Sequence, residues 1–109
     1  MNKILKYILV FTIPVSIFIM FIFLHESVHQ QIYSAFGIDS KMGMNYTEDF
    51  AFVEPNATQF GNLCATDSTS CLELKKLNAY NEIFSYNIEP FLILFLVSFE
   101  LWIINMPED

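Results

Sequence analysis

Apolar residues are not spread evenly along this chain. They gather into two long runs, with a polar stretch between them. The first run, Ile4 to Leu24, holds one charge, Lys6, near its start. Its 21 residues at 1.5 Å each give a helix of about 30 Å, the thickness of a bilayer's hydrocarbon core. Pro14 falls mid-run, where a membrane helix tolerates it at the cost of a kink. The polar continuation His25–Phe36 keeps a helical pattern, and Gly37 is a suitable residue to end it. The second run, about Phe84 to Met106, contains Pro90 and the acids Glu89 and Glu100. Trp102 stands where an interfacial anchor belongs. Before it, Ser70-Cys71-Leu72-Glu73 reads as a capping box that opens a helix through residues 72–86 and on into the second run.

The pattern therefore predicts an all-α membrane protein with two transmembrane helices. Residues 1–37 form the first, 38–69 an extramembrane connector, and 70–109 an amphipathic entry helix with the second span. Within the connector, Tyr46, Glu48, Phe50, Phe52 and Glu54 alternate with Thr47, Asp49, Ala51 and Val53, and Pro55 ends the run. This is the signal of a short strand or hairpin. A cleaved signal peptide would also place lysines before an apolar run. The run is too long for one, and no small-residue cleavage site follows it.

Composition agrees. Of 109 residues, 54% are hydrophobic and only 16% charged, against about 25% in a soluble domain. A soluble fold this small cannot hide that much apolar surface. The net charge is −7, and all five basic residues are lysines, which argues against a nucleic-acid partner. The expected surroundings are a lipid bilayer and either copies of the same chain or other membrane subunits. Two spans put both termini on one side. Lys3 and Lys6 at one end are balanced by Lys41, Lys75 and Lys76 in the connector, so the positive-inside rule hardly discriminates. Cys64 and Cys71 are close enough in sequence to bridge in an oxidising compartment, or else remain as free thiols. With the triplets Asn45-Tyr46-Thr47 and Asn56-Ala57-Thr58, they favour a connector outside the cytoplasm.

The candidate chemistry lies where the first span ends. Both histidines of the chain fall in His25-Glu26-Ser27-Val28-His29. Four residues apart on a helix, they share one face and can reach one metal ion, with zinc the expected one. Glu26 occupies the place of the general base that takes a proton from metal-activated water. Two histidines placed at random give this spacing together with the glutamate about once in a thousand cases. The plainer alternative is that a helix leaving a bilayer simply needs polar residues there. A zinc site needs a third protein ligand. By depth along the spans Glu82 is level with the motif, Glu89 lies two turns deeper, and Glu100 is near the opposite face. Asp67, Cys64 and Cys71 also remain open. Glu82, Glu89 and Glu100 share a helix face, so Glu89 and Glu100 equally suit a polar contact between helices. Tyr33 and Tyr80 are candidate oxyanion donors on chemistry alone.

His25 through Ile38, with HExxH followed by Phe36-Gly37-Ile38, resembles the active-site helix of site-2-protease-like intramembrane zinc metalloproteases. About 30 residues carry the resemblance, including a strand-bearing segment comparable to Met44–Pro55. It implies zinc on His25 and His29, Glu26 as base, and hydrolysis of a peptide bond in or beside the membrane. The chain departs from that family in three respects. Val28 stands where a small residue is usual, no Asp-Gly supplies the third ligand, and there are two spans where the family core has three. The expected function is a membrane-bound zinc metallopeptidase. The alternatives are a non-catalytic accessory subunit of a membrane complex, and a metal site used for sensing or structure.

Overall fold

A computed structural model describes residues 1–45 and 50–109. The elements run α1 (Lys3–Ala35), β1 (Ser40–Met44), β2 (Ala51–Pro55), α2 (Ala57–Thr66) and α3 (Ser68–Ile104). Two long apolar helices, the short helix α2 and a small two-stranded sheet are the described elements, and both long helices are long and apolar enough to cross a membrane. Pro14 and Pro90 both lie inside continuous helix.

Helix ends are closed by local chemistry. The Asn2 side chain accepts from the Ile4 amide at 2.8 Å and starts α1. At the other end the Gly37 amide donates to the Ser34 carbonyl and the Ile38 amide to the Tyr33 carbonyl, both at 3.0 Å. Gly37 has φ +74°. Two such bonds around a left-handed residue satisfy the last carbonyls of a helix, and glycine takes that conformation without a Cβ penalty. Ile38, one residue on, is buried. Gly37 therefore stands in the place expected of it, two residues beyond the end of α1.

The capping box expected at Ser70-Cys71-Leu72-Glu73 is not how α3 begins. The helix starts at Ser68, and Asp67 caps it, accepting from the Ser70 amide at 3.0 Å and the Ser70 hydroxyl at 2.7 Å. Ser70 is a donor to the cap and not the cap itself. The same Asp67 ends α2, its amide donating to the Leu63 carbonyl. One residue thus separates two helices, and an acid there serves both.

The chain forms two compact units, Met1–Phe21 with Tyr86–Asp109, and Ile22–Ser85. In the first unit Lys6 is only 7% exposed. Its Nζ donates to the carbonyls of Ile104, at 3.3 Å, and Met106, with Glu108 Oε1 at 3.9 Å. These carbonyls lie at the C-terminal end of α3, where helical partners run out and where the helix dipole favours a cation. Leu96 and Ile103 are the buried apolar side chains of this unit.

The second unit carries the sheet, α2, the end of α1 and the start of α3. β1 and β2 pair antiparallel, from Ser40 opposite Pro55 to Met44 opposite Ala51. Lys41 faces Glu54 across the strands. The Phe52 ring covers Gly43 so closely that a Cβ there would stand 2.4 Å from it. Part of the expected alternation, and two residues of the triplet Asn45-Tyr46-Thr47, fall on residues 46–49, outside the described residues. The first strand, SKMGM, has no alternation of its own and is held by its partner. Helix α2 lies inside what was expected to be an irregular connector. The Asn56 side chain caps it, accepting from the Gln59 amide at 3.0 Å. Gln59 also ties back to Asp39, accepting from its amide at 2.6 Å and donating to its carboxylate at 3.1 Å. A disulfide joins Cys64 of α2 to Cys71 of α3. Beside it, Leu74 is fully buried, and Cys71, Ile38 and Ala51 are the other buried apolar residues of this unit among those described.

Candidate metal centre

The centre lies entirely within the second unit, where the last turns of α1 meet the first half of α3. His25 and His29 are one turn apart, so their rings stack along one face of α1. Their centroids are 4.8 Å apart and the planes are 77° to each other. α3 brings Asn78, Glu82 and Ser85, spaced four and three residues apart, onto one facing stripe. The Asn81 amide donates to the His25 backbone carbonyl at 3.1 Å and ties the two helices together at this level.

Glu82 Oε1 is 3.0 Å from His25 Nε2 and 2.6 Å from His29 Nε2. The three candidate ligand atoms all lie within 4.8 Å of one another. The opposite ring nitrogens are occupied as well. His29 Nδ1 meets Asn78 Oδ1 at 2.7 Å, and His25 Nδ1 meets Ser85 Oγ. Asn78 Oδ1 and Glu82 Oε1 both only accept, so the two nitrogens of His29 compete for its ring hydrogen, and a hydrogen on Nδ1 leaves the Nε2 lone pair toward Glu82. That lone pair and a carboxylate oxygen 2.6 Å away repel each other, and a metal ion between them would relieve the repulsion. The His25 and His29 side chains are 14% and 12% exposed, while Glu82 is 43% exposed. The cluster is therefore sheltered on the α1 side and open to exchange at the carboxylate.

The donor set suits a cation such as zinc. Two imidazoles and one carboxylate leave a fourth tetrahedral position open. With metal–ligand bonds near 2.0–2.1 Å, tetrahedral ligand atoms stand about 3.3 Å apart. The separations of 2.6 and 3.0 Å would open by about 0.7 and 0.3 Å to reach that value, a movement that a half-exposed Glu82 side chain can supply.

The remaining candidates sort themselves by contact. Glu26 Oε1 is 3.8 Å from His25 Nε2, and it lies outside the three-ligand group. Glu89 and Glu100 also stand outside that group. They lie in the other unit, half-buried, with no hydrogen bond or ion pair to another described residue. Cys64 and Cys71 are bonded to each other and offer no thiolate. Asp67 is taken up in capping α3, and the amide and hydroxyl of Ser70 hold its carboxyl below the usual carboxylate range. Tyr33 packs edge-on against Phe60 with ring centroids 6.4 Å apart, and Tyr80 is exposed.

Asn78, Asn81 and Ser85 were not among the residues expected at the site. The signal was there in part, because residues four before and three after Glu82 must share its face. What could not be read was that this face meets α1. No protein-family model, curated protein or solved structure matches the chain.

Proposed function

We propose that this protein is a membrane-bound zinc metallopeptidase that cleaves a peptide bond at or near the membrane surface. His25, His29 and Glu82 would hold the metal. The observation that carries the reading is the convergence of both Nε2 atoms of the HExxH helix on one carboxylate oxygen from another helix. The metal would supply Lewis acidity and a water acidic enough to ionise near neutral pH. Glu26, adjacent to His25 and outside the ligand group, would accept the water's proton and return it to the leaving amine. The resemblance to site-2-protease-like enzymes rests on the HExxH helix region alone, and Glu82 as third ligand would be a departure from the aspartate of that family.

A bilayer is supported by the surfaces of the helices. In the most apolar stretch of α1 no residue is buried, and in that of α3 only 11% are, the reverse of a soluble core helix. Thr12, Ser16 and Ser98 each return their hydroxyl to the carbonyl four residues back, as polar groups do where no water is at hand. The Cys64–Cys71 bridge supports a connector in an oxidising compartment, outside the cytoplasm.

The test is metal analysis of the detergent-solubilised full chain beside His25→Ala and Glu26→Gln, with turnover of a membrane-inserted peptide. The reading expects one zinc per chain, lost in His25→Ala. It expects Glu26→Gln to keep the zinc and lose turnover. Metal-free wild type at neutral pH would end it. Retained zinc with no turnover in wild type would leave a sensing or structural site. The accessory-subunit reading draws on Glu89 and Glu100, half-buried acids with no partner among the described residues. It expects co-purifying subunits and no effect of Glu26→Gln.

A further inference from the structure

Resting on the metallopeptidase reading, we infer that Asn78 and Ser85 are positioning residues that set the affinity of the centre by locking the ring hydrogens of both histidines onto Nδ1. One stripe of α3 then carries a ligand and both of its outer supports. Asn78 lies one turn before Glu82, and Ser85 one turn after it.

The two contacts differ in what they enforce. Asn78 Oδ1 stands 2.7 Å from His29 Nδ1 and has no hydrogen to give, so the ring must donate. Ser85 Oγ, at His25 Nδ1, can accept the ring hydrogen while its own hydrogen turns elsewhere. With both Nδ1 atoms protonated, both Nε2 lone pairs point at the same oxygen, Glu82 Oε1. Without the lock each ring has an easier option. It moves its hydrogen to Nε2 and donates to Glu82, an ordinary hydrogen bond that occupies the metal's place. Asn78 therefore removes the competing arrangement as well as orienting the ring. A partner on the far nitrogen also makes the ligating nitrogen more basic, and loss of such partners typically costs about 10- to 100-fold in metal affinity.

The helix geometry makes this a property of α3 as a unit. Asn81, between the two supports, donates to the His25 carbonyl. Leu74, one turn before Asn78, is fully buried, and Cys71 before it is held to α2 by the disulfide. The stripe Cys71, Leu74, Asn78, Glu82, Ser85 is thus anchored above the site.

The experiment measures zinc affinity of the full-length protein in detergent micelles for wild type, Asn78→Leu, Asn78→Asp and Ser85→Ala. It also records ring 15N correlations of the metal-free proteins well above the imidazole titration range. Asn78→Leu should bind zinc roughly 10- to 100-fold more weakly, with the His29 pattern moving from Nδ1–H to Nε2–H. Asn78→Asp, which still only accepts, should match or exceed wild type and keep the Nδ1–H pattern. A role in packing alone would move neither pattern and would not be rescued by aspartate. Ser85→Ala removes one hydroxyl, keeps the fold, and should give the same pair of changes at His25. If Asn78→Leu and Ser85→Ala bind zinc within about twofold of wild type, or if the ring patterns stay put, this inference is overturned while the metallopeptidase reading stands. If wild type itself binds no zinc, the reading beneath it falls.

Discussion

Glu82→Gln isolates the candidate ligand that the structure brings to the histidine helix from another element. The substitution keeps the size and shape of the side chain and removes the charge. Zinc sites in small peptides bind with about 10–16 kcal/mol over four ligands, so one ligand is worth about 3 kcal/mol, or roughly 100-fold in affinity. The geometry sharpens the expectation. A single oxygen, Oε1, meets both rings at 3.0 and 2.6 Å, whereas Glu26 Oε1 stands 3.8 Å from His25 Nε2. Competition against a chromophoric chelator in micelles reads the constant directly. The control is Glu89→Gln, on the same helix but outside the ligand group, which should leave affinity unchanged. Zinc held at a site that only the native state forms should add about 2.7 kcal/mol to stability at about 100 times its Kd. Glu82→Gln, with its Kd raised about 100-fold, should cut that increment to about 0.4 kcal/mol at the same zinc concentration. Binding of zinc by Glu82→Gln within roughly threefold of wild type would refute the assignment of Glu82 as third ligand, and a loss in Glu89→Gln instead would move the site.

Four further outcomes are expected. Glu26→Gln should lower turnover by about 100- to 10,000-fold, the range for a lost general base, with zinc content unchanged by atomic absorption. Reducing the Cys64–Cys71 bridge, seven residues apart in sequence, should cost about 2–3 kcal/mol by the loop-entropy estimate, read as a lower melting temperature with two newly alkylated thiols. Lys6→Met should destabilise the fold by about 1–3 kcal/mol, the worth of charged hydrogen bonds to the Ile104 and Met106 carbonyls, measured by denaturant titration in micelles. Asp67 gives a pH dependence: its carboxyl is held below the usual range by the Ser70 amide and hydroxyl, so its contribution is present above the ordinary carboxylate range and is lost as pH falls through the depressed folded value. Amide exchange at the start of α3 should rise in acid, and Asp67→Asn should flatten that dependence.

Much of this was legible in the residues themselves. Two apolar runs of bilayer length can only be long helices, because length and hydropathy leave no other arrangement that satisfies the backbone. Gly37 was legible as a helix end, since a left-handed residue there favours glycine. The histidine pair was legible because a spacing of four on a helix has one geometric meaning. Helix α2 was missed for a physical reason. Asn56 was read as part of a glycosylation triplet, while Phe60, Leu63 and Cys64, spaced three and one apart behind it, mark the apolar face of a short helix. The start of α3 was misplaced because Ser70 and Asp67 are both good caps, and only the bonds made show which one acts.

Local sequence thus determined the elements of this protein and the chemistry of one helix face, because periodicity and helix geometry act within a few residues. It ranked Glu82 first by depth, which is a one-dimensional argument and left Glu89, Asp67 and both cysteines in play. Only tertiary structure decided what stands opposite the histidines, because that depends on the rotation of α3 about its axis. No local pattern encodes that rotation. It follows from burying Leu74, tying Cys71 to α2 and turning the stripe of Asn78, Glu82 and Ser85 toward α1.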